Sequence, residues 1–173
     1  MSLEAAELVQ RAQDGDTQAF AELYSLVYKD LYRTALLSLG HEQDASDVVS
    51  DTVLDAYKSI KKLRDPSSFK AWIMTILTVK IKNKQKEYMD QRSREEDIDD
   101  LREEPPDTKR DHFGSVELTE AMAKLSEEER TVMTLNIVSG YTSEEIETIT
   151  GISANTVRSK IKRAKEKLKR FLE

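Results

Sequence analysis

The chain has 173 residues and a formal net charge of −6, with five glycines, three prolines and no cysteine. The lack of cysteine excludes disulfides, thiolate catalysis and cysteine-based zinc sites. No apolar run is long enough to span a bilayer, so we expect a cytoplasmic protein without membrane insertion. Because glycine and proline are few and apolar residues recur at helical spacing, the predicted fold class is all-α.

Four helices are predicted in a first unit, residues 1–91. The first covers Leu3–Gln13, and Asp16 or Thr17 caps the second, which Gly40 closes. The third begins near Asp44, and the fourth follows a short loop. The second helix is predicted to carry an apolar stripe that includes Phe20, Leu23, Tyr24, Val27, Leu31 and Ala35, and the third to bury Val48, Val49, Val53, Ala56 and Ile60. The fourth is predicted to run through Trp72, Ile73, Ile76, Leu77 and Val79.

Residues 92–114 predict an acidic, flexible linker. This segment combines a run of acids with a Pro-Pro pair and little apolar periodicity. A segment of this composition buries too little apolar surface to fold by itself. The chain is therefore predicted to form two small helical domains on either side of the linker.

The second unit, residues 115–173, begins with a predicted helix near 116–124. Ser126 and Glu129 form a capping box for the next helix, which runs through Val132, Met133 and Ile137 and ends at Gly140. Two further predicted helices follow over residues 141–173.

The last two helices predict a helix-turn-helix. Thr142 and Glu145 form a second capping box, Gly151 permits the turn, and Ser153 caps the final helix. In that final helix an apolar stripe is predicted to pack inward, formed by Val157, Ile161, Ala164, Leu168 and Phe171. Its other faces carry eight bases against one acid over residues 154–172, an arrangement typical of a DNA-recognition helix, although a solvated basic face is the simpler alternative.

Charge is segregated along the chain. Residues 1–57 carry a net charge of −8, residues 58–94 carry +8, residues 95–111 carry −6, and residues 154–172 carry +7. An acidic total therefore does not argue against DNA binding, because each basic segment attracts phosphate locally.

Two patterns in the first unit are candidates for function. Asp44, Asp47, Asp51 and Asp55 share one face of the third helix, which is either a solvated stripe or a docking face for a basic partner. The loop that follows mixes cations with aromatic residues, as single-strand binding surfaces do, although such aromatics more often belong to the core.

Signatures of catalysis are lacking. The sequence has no Gly-rich phosphate loop and no Gly-x-Ser-x-Gly elbow. His41 and Glu42 begin a string like a zinc-binding motif, but Ala45 stands where the second histidine ligand belongs. We therefore predict no enzyme activity, no catalytic residue, no metal and no cofactor.

Together the two units resemble the extracytoplasmic-function (ECF) class of bacterial RNA polymerase sigma factors, in the sigma-70 superfamily. In the first unit, "AQDGDTQAFAELYSLVYKDLYRTAL", "DASDVVSDTVLDAYKSI" and "SFKAWIMTIL" resemble successive parts of the family's region 2. In the second, "LSEEERTVMTLNIVSGYTSEEIETITGISANTVRSKIKRAKEKL" is similar to its region 4. The resemblance implies a four-helix region-2-like unit and a helix-turn-helix region-4-like unit.

The resemblance also implies partners and site residues. The partners are core RNA polymerase and promoter DNA, and an anti-sigma factor is a further candidate. Core polymerase would contact Asp44, Asp47, Val48, Asp51 and Asp55. The −10 element would contact Lys61, Lys62, Arg64, Ser67, Ser68, Phe69 and Trp72. The −35 element would contact Asn155, Thr156, Arg158, Ser159, Lys162 and Arg163.

Two alternatives remain at this point. A stand-alone helix-turn-helix transcriptional regulator would bind operators tightly without polymerase, but it leaves the acidic stripe and the aromatic loop without a role. A helical adaptor that binds a partner through the acidic stripe would not depend on Arg158 or Lys162 for DNA binding.

Overall fold

A computed structural model describes residues 3–96 and 116–173, and all regular secondary structure in these residues is helical. The α-helices are α1 (Leu3–Gln13), α2 (Thr17–Leu39), α3 (Glu42–Ser59), α4 (Phe69–Glu96), α5 (Val116–Ala123), α6 (Glu127–Met133), α7 (Ser143–Thr150) and α8 (Ala154–Leu172). Short 3₁₀ turns at Ile60–Lys62 and Pro66–Ser68 link α3 to α4, and a π-helical segment, Thr134–Val138, extends α6. Of the predicted linker, residues 92–96 form the end of α4, and residues 97–114 lie outside the described residues.

Local capping signals end the helices largely where the sequence predicts. Asp16, rather than Thr17, caps α2, and its carboxylate accepts from the Ala19 amide at 3.1 Å. Gly40 ends α2 with a left-handed φ of 72°, which glycine adopts without a steric clash because it has no Cβ atom. The capping box of Ser126 with Glu129 is confirmed, as is that of Thr142 with Glu145.

The first unit packs α2, α3 and α4 around one apolar core. Leu23, Leu31, Phe69, Ile73 and Leu77 are all 1% exposed or less. Val79, through which the predicted fourth helix runs, is 55% exposed and does not face this core. The helix buries Leu77, Thr78 and Ile81 instead, which turns residue 79 towards solvent.

In the second unit, two apolar residues of the predicted helices are exposed, and for Phe171 this contradicts the predicted inward stripe. Ile137 is 60% exposed, within the π-helical segment that replaces the last turn of α6. Phe171 is 46% exposed, and the Lys124 ammonium lies 5.6 Å from the centroid of its ring. The α8 stripe is buried fully only at Val157 and Ala164.

The two units share a single hydrophobic cluster. Val132, Leu135, Tyr141 and Ile146 of the second unit are buried in the same cluster as the core of the first. Polar contacts reinforce the junction: the Thr34 and Ser139 hydroxyls lie 3.2 Å apart, and the Arg130 guanidinium donates to the Ser38 carbonyl at 3.2 Å. α7 of the helix-turn-helix packs against α4, and α6 with its π-helical extension packs against α2.

Candidate protein and nucleic-acid interfaces

The acidic stripe on α3 exposes its two central carboxylates. Asp47 and Asp51 are both exposed, and neither forms an ion pair within residues 3–96 and 116–173. The Gln43 amide donates to Asp47 at 3.0 Å and holds that side chain along the helix. These two residues form an accessible anionic surface, which we call the α3 acidic surface.

The outer carboxylates of the stripe are engaged by α4. Asp44 accepts a hydrogen bond from the Tyr88 hydroxyl, and the Lys84 ammonium lies 3.5 Å away. Asp55 pairs with Lys80 at 2.7 Å, and this hydrogen-bonded cation lowers the pKa of the carboxyl. In this arrangement Asp44 and Asp55 tie α3 to α4, and their charge is partly neutralised.

Val48 differs from the rest of the predicted docking set, because it lies in the core at 6% exposure. Its side chain is therefore not on the surface with Asp47.

One contact of the acidic stripe, Tyr88, was missed by sequence reasoning. Nothing in the local pattern connects it to Asp44, which lies 44 positions earlier in the chain.

The loop between α3 and α4 presents cations on a rigid turn. Lys61, Lys62 and Arg64 are exposed, and no ion pair of theirs is found in the described residues. Asp65 organises the turn, because its carboxylate accepts from the Ser67 amide at 3.0 Å and from the Ser67 hydroxyl at 2.7 Å. These hydrogen bonds lower the pKa of Asp65 and keep it charged.

The two aromatic residues of this region have different environments. Phe69 is 1% exposed and packs in the core at the start of α4. Trp72 is half-buried, with its ring centroid 6.0 Å from that of Phe69. In this conformation Phe69 offers no ring face for base stacking. It instead anchors the end of the loop to the core.

Recognition helix α8 starts from a well-formed cap. The Ser153 hydroxyl accepts from the Thr156 amide at 3.4 Å, and a Glu147 carboxylate oxygen accepts from the Ala154 amide at 3.1 Å. Because α7 supplies that second contact, the turn between α7 and α8 is fixed. The start of α8 therefore projects from a defined platform.

All six residues predicted to contact the −35 element are exposed on α8: Asn155, Thr156, Arg158, Ser159, Lys162 and Arg163. The Arg158 guanidinium donates one hydrogen bond to the Asn155 side chain at 2.9 Å and another to the carboxylate of Glu144 on α7. Two other cations of α8 are used internally, since Lys160 pairs with Glu128 at 2.7 Å and Lys167 pairs with Glu129 at 2.8 Å. The basic face is thus divided between internal pairs and cations such as Lys162 that point into solvent.

Other kinds of site find no support in the described residues. Within 3–96 and 116–173, no group of acidic or histidine side chains is arranged to hold a metal ion. In the same ranges, no helix combines the length and the apolar character needed to cross a membrane.

Comparisons with known families match both units. The model of sigma-70 region 2 matches residues 23–101, and that of sigma-70 region 4 matches residues 115–168. The first match covers most of α2 and all of α3, the cationic loop and α4, whereas the second covers the helix-turn-helix.

Individual relatives extend over most of the chain. RNA polymerase sigma factor SigV of Bacillus subtilis is 31% identical over 141 residues, which is 79% of this chain and 80% of SigV. The ECF RNA polymerase sigma-E factor of Haemophilus influenzae is 29% identical and covers 96% of this chain and 94% of its own length.

Solved structures agree with these relatives. The sigma factor RpoE of Bartonella quintana, solved with the anti-sigma factor NepR, has a TM-score of 0.71 at 29% identity and covers 88% of this chain and 96% of its own. CnrH, solved with the cytosolic domain of CnrY, has a TM-score of 0.71 at 23% identity over 98% of this chain and 97% of its own, which shows the shared fold. The chain belongs to the sigma-70 family of RNA polymerase sigma factors, in its ECF class.

Proposed function

We propose that this sigma factor binds core RNA polymerase through the α3 acidic surface and directs initiation at promoters read by the α3–α4 loop and by α8. The observation that carries the proposal is the separation of one free anionic surface from two cationic ones on a single scaffold. A protein that joins a polymerase to DNA needs surfaces of both signs. It acts in the cytoplasm and performs no covalent chemistry.

Docking on the polymerase is assigned first to Asp47 and Asp51. Both are exposed and free of ion pairs within the described ranges, so binding a basic partner does not break an internal ion pair. Asp44 and Asp55 would have to release Tyr88, Lys84 or Lys80 before contacting a partner. Their contribution to docking is therefore secondary.

Capture of the −10 element is assigned to the α3–α4 loop. Its exposed cations, Lys61, Lys62 and Arg64, attract the backbone of single-stranded DNA. Ser67 and Ser68 follow on the turn that Asp65 organises, and both of their hydroxyls donate to Asp65. We assign their hydroxyl oxygens to contacts with a base held by the loop. Phe69 contributes from the core by holding that turn in place, and half-buried Trp72 has the accessible ring.

Duplex recognition at the −35 element is assigned to the start of α8. A recognition helix reads base edges with its N-terminal residues, and Arg158 and Asn155 lie there as a hydrogen-bonded pair. Ser159 follows Arg158 directly, and Lys162 and Arg163 lie about one turn further along. We assign these three residues to phosphate contacts. The two proposed functional units are residues 1–91 and 115–173. Each of them thus carries one DNA-binding surface.

The first experiment tests docking. The purified chain is mixed with bacterial core RNA polymerase and co-elution is measured for the parent, Asp47→Lys and Asp51→Lys. We expect the parent to co-elute and each reversal to weaken association. The matched control is Glu7→Lys, an equal charge change at an exposed position of α1 in the same unit.

The outcomes separate the candidate functions. Association that is unchanged in both aspartate variants would remove the α3 acidic surface from the docking site. A parent that ignores the polymerase yet binds duplex DNA tightly by itself would indicate a stand-alone regulator. Equal loss in Glu7→Lys would indicate a general charge effect rather than a defined surface.

A further inference from the structure

A glutamine on α1 holds the inner side of the α3–α4 loop. The Gln13 side-chain amide donates to the Ile60 carbonyl at 2.9 Å and to the Leu63 carbonyl at 2.8 Å. These acceptors lie 47 and 50 positions further along the chain. A glutamine amide nitrogen carries two hydrogens, so both are used on this one loop.

The two carbonyls belong to the side of the loop that faces the protein. The Ile60 and Leu63 side chains are 3% and 8% exposed, whereas Lys61, Lys62 and Arg64 between and beside them are exposed. Gln13 therefore fixes the buried side of a turn whose other side presents cations. The spacing of those cations depends on the backbone that Gln13 binds.

Gln13 is itself held in place by the corner between α1 and α2. Arg11 and Asp16 form an ion pair of 2.6 Å across this corner, and Asp16 also caps α2. The Asp16 amide donates back to the Arg11 carbonyl at 3.0 Å, and Gly15 takes the positive φ of 99° that the tight corner needs. The side chain thus reaches the loop from a fixed backbone.

We propose that Gln13 is a positioning residue that sets the base preference of the α3–α4 loop at the −10 element. The inference rests on the proposed function of that loop. Recognition of an unpaired base needs its contacting groups held within about 0.5 Å, and residues behind them provide that accuracy. Gln13 touches no DNA and acts through the loop backbone.

The test uses the complex of the full chain with core RNA polymerase. The probe is a library of fork-junction DNA whose single-stranded −10 segment is randomised. Its upstream duplex has one fixed sequence, chosen beforehand because the parent complex binds it. The preferred base and its preference over the others are read for the parent, Gln13→Glu and Gln13→Met. Glutamate keeps the shape of glutamine but places an acceptor against two carbonyls, and methionine keeps the length without donors.

We expect both variants to reduce the preference for the favoured base by about fivefold to thirtyfold, the equivalent of one to two lost hydrogen bonds. Polymerase co-elution and affinity for the upstream duplex should match the parent, which a general loss of structure would not allow. The matched control is Gln10→Glu, an exposed glutamine one turn earlier on α1, which should keep the parent preference.

Three results would overturn the inference. If Gln13→Glu and Gln13→Met keep the parent's preference, Gln13 does not position the loop. If Gln10→Glu flattens the preference equally, the effect comes from charge on α1. If the parent complex itself shows no base preference at the −10 segment, the proposed function of the loop fails, and this inference fails with it.

Discussion

Replacing Phe69 by alanine should destabilise the first unit instead of removing only a DNA contact. Phe69 is among the largest fully buried side chains, with 1% of its surface exposed, and it packs against Trp72 at a centroid distance of 6.0 Å. It lies where the α3–α4 loop enters α4, so a cavity there loosens both elements.

The expected loss of stability follows from this burial. A buried phenylalanine truncated to alanine costs about 3–5 kcal/mol, because apolar contacts are lost and a cavity remains. Whole-domain stability is about 5–15 kcal/mol, so Phe69→Ala removes a large share of it. For a chain of this size the melting temperature should fall by roughly 6–20 °C. Phe69→Leu retains most of the volume and should cost only about 1–2 kcal/mol.

The assay is thermal and urea unfolding followed by tryptophan fluorescence. Trp72 is the single tryptophan of the chain and lies beside the mutated ring, so its emission reports on this core. Phe171→Ala is the matched control, because that phenylalanine is 46% exposed and its loss should cost no more than about 1 kcal/mol.

The contrary outcome is specific. If Phe69→Ala unfolds at the parent temperature while affinity for single-stranded −10 DNA is lost, Phe69 is a base-stacking residue and not a core anchor. A Phe69→Leu variant that folds normally yet loses DNA binding would lead to the same conclusion.

Three further predictions concern the second unit. Glu129→Gln should cost about 1–2 kcal/mol at neutral pH, because Lys167 donates to both carboxylate oxygens at 3.0 and 2.8 Å. Burial opposes ionisation, but the Lys167 and Ser126 hydrogen bonds outweigh it and lower the pKa of Glu129, so the deficit in urea titrations should shrink as pH falls below about 4. Arg130→Met should cost about 1–3 kcal/mol by the same titration, since the guanidinium donates to Met122 at 3.0 Å as well as to Ser38. Lys162→Ala in the polymerase complex should lower the slope of log affinity against log salt by about 0.9 for promoter duplex.

Each of these has an outcome that contradicts it. A Glu129→Gln deficit that is unchanged at low pH would mean that the carboxylate charge does not stabilise the fold. An Arg130→Met chain as stable as the parent would mean that the Arg130 hydrogen bonds do not stabilise the junction between the units. An unchanged salt slope in Lys162→Ala would place that ammonium away from phosphate.

Helix boundaries were predictable because they depend on neighbours within one turn. The two capping boxes and the left-handed Gly40 and Gly151 stand where the sequence placed them. Burial was predictable for most of the apolar stripes, but it failed at Phe171 near the end of α8. Val79, Ile137 and Phe171 are apolar, but helix packing within the described residues leaves them 55%, 60% and 46% exposed.

The candidate site was predictable as surfaces but not as individual contacts. The acidic stripe, the cationic loop and the basic α8 all follow from charge and helical spacing in the sequence. Which carboxylates stay free depends instead on α4, since Tyr88 and Lys80 reach Asp44 and Asp55 from distant positions. No local pattern contains that information.

The sequence by itself therefore determined the all-helical architecture and the helix-turn-helix, because periodicity and caps are properties of short stretches of chain. The sigma-70 family was identified by the resemblance of its motifs to that family's regions 2 and 4. The tertiary structure alone decided that Phe69 is a core residue, that Gln13 holds the α3–α4 loop, and that both units share one hydrophobic cluster. These contacts join residues tens of positions apart. They exist only once helix packing has brought the residues together.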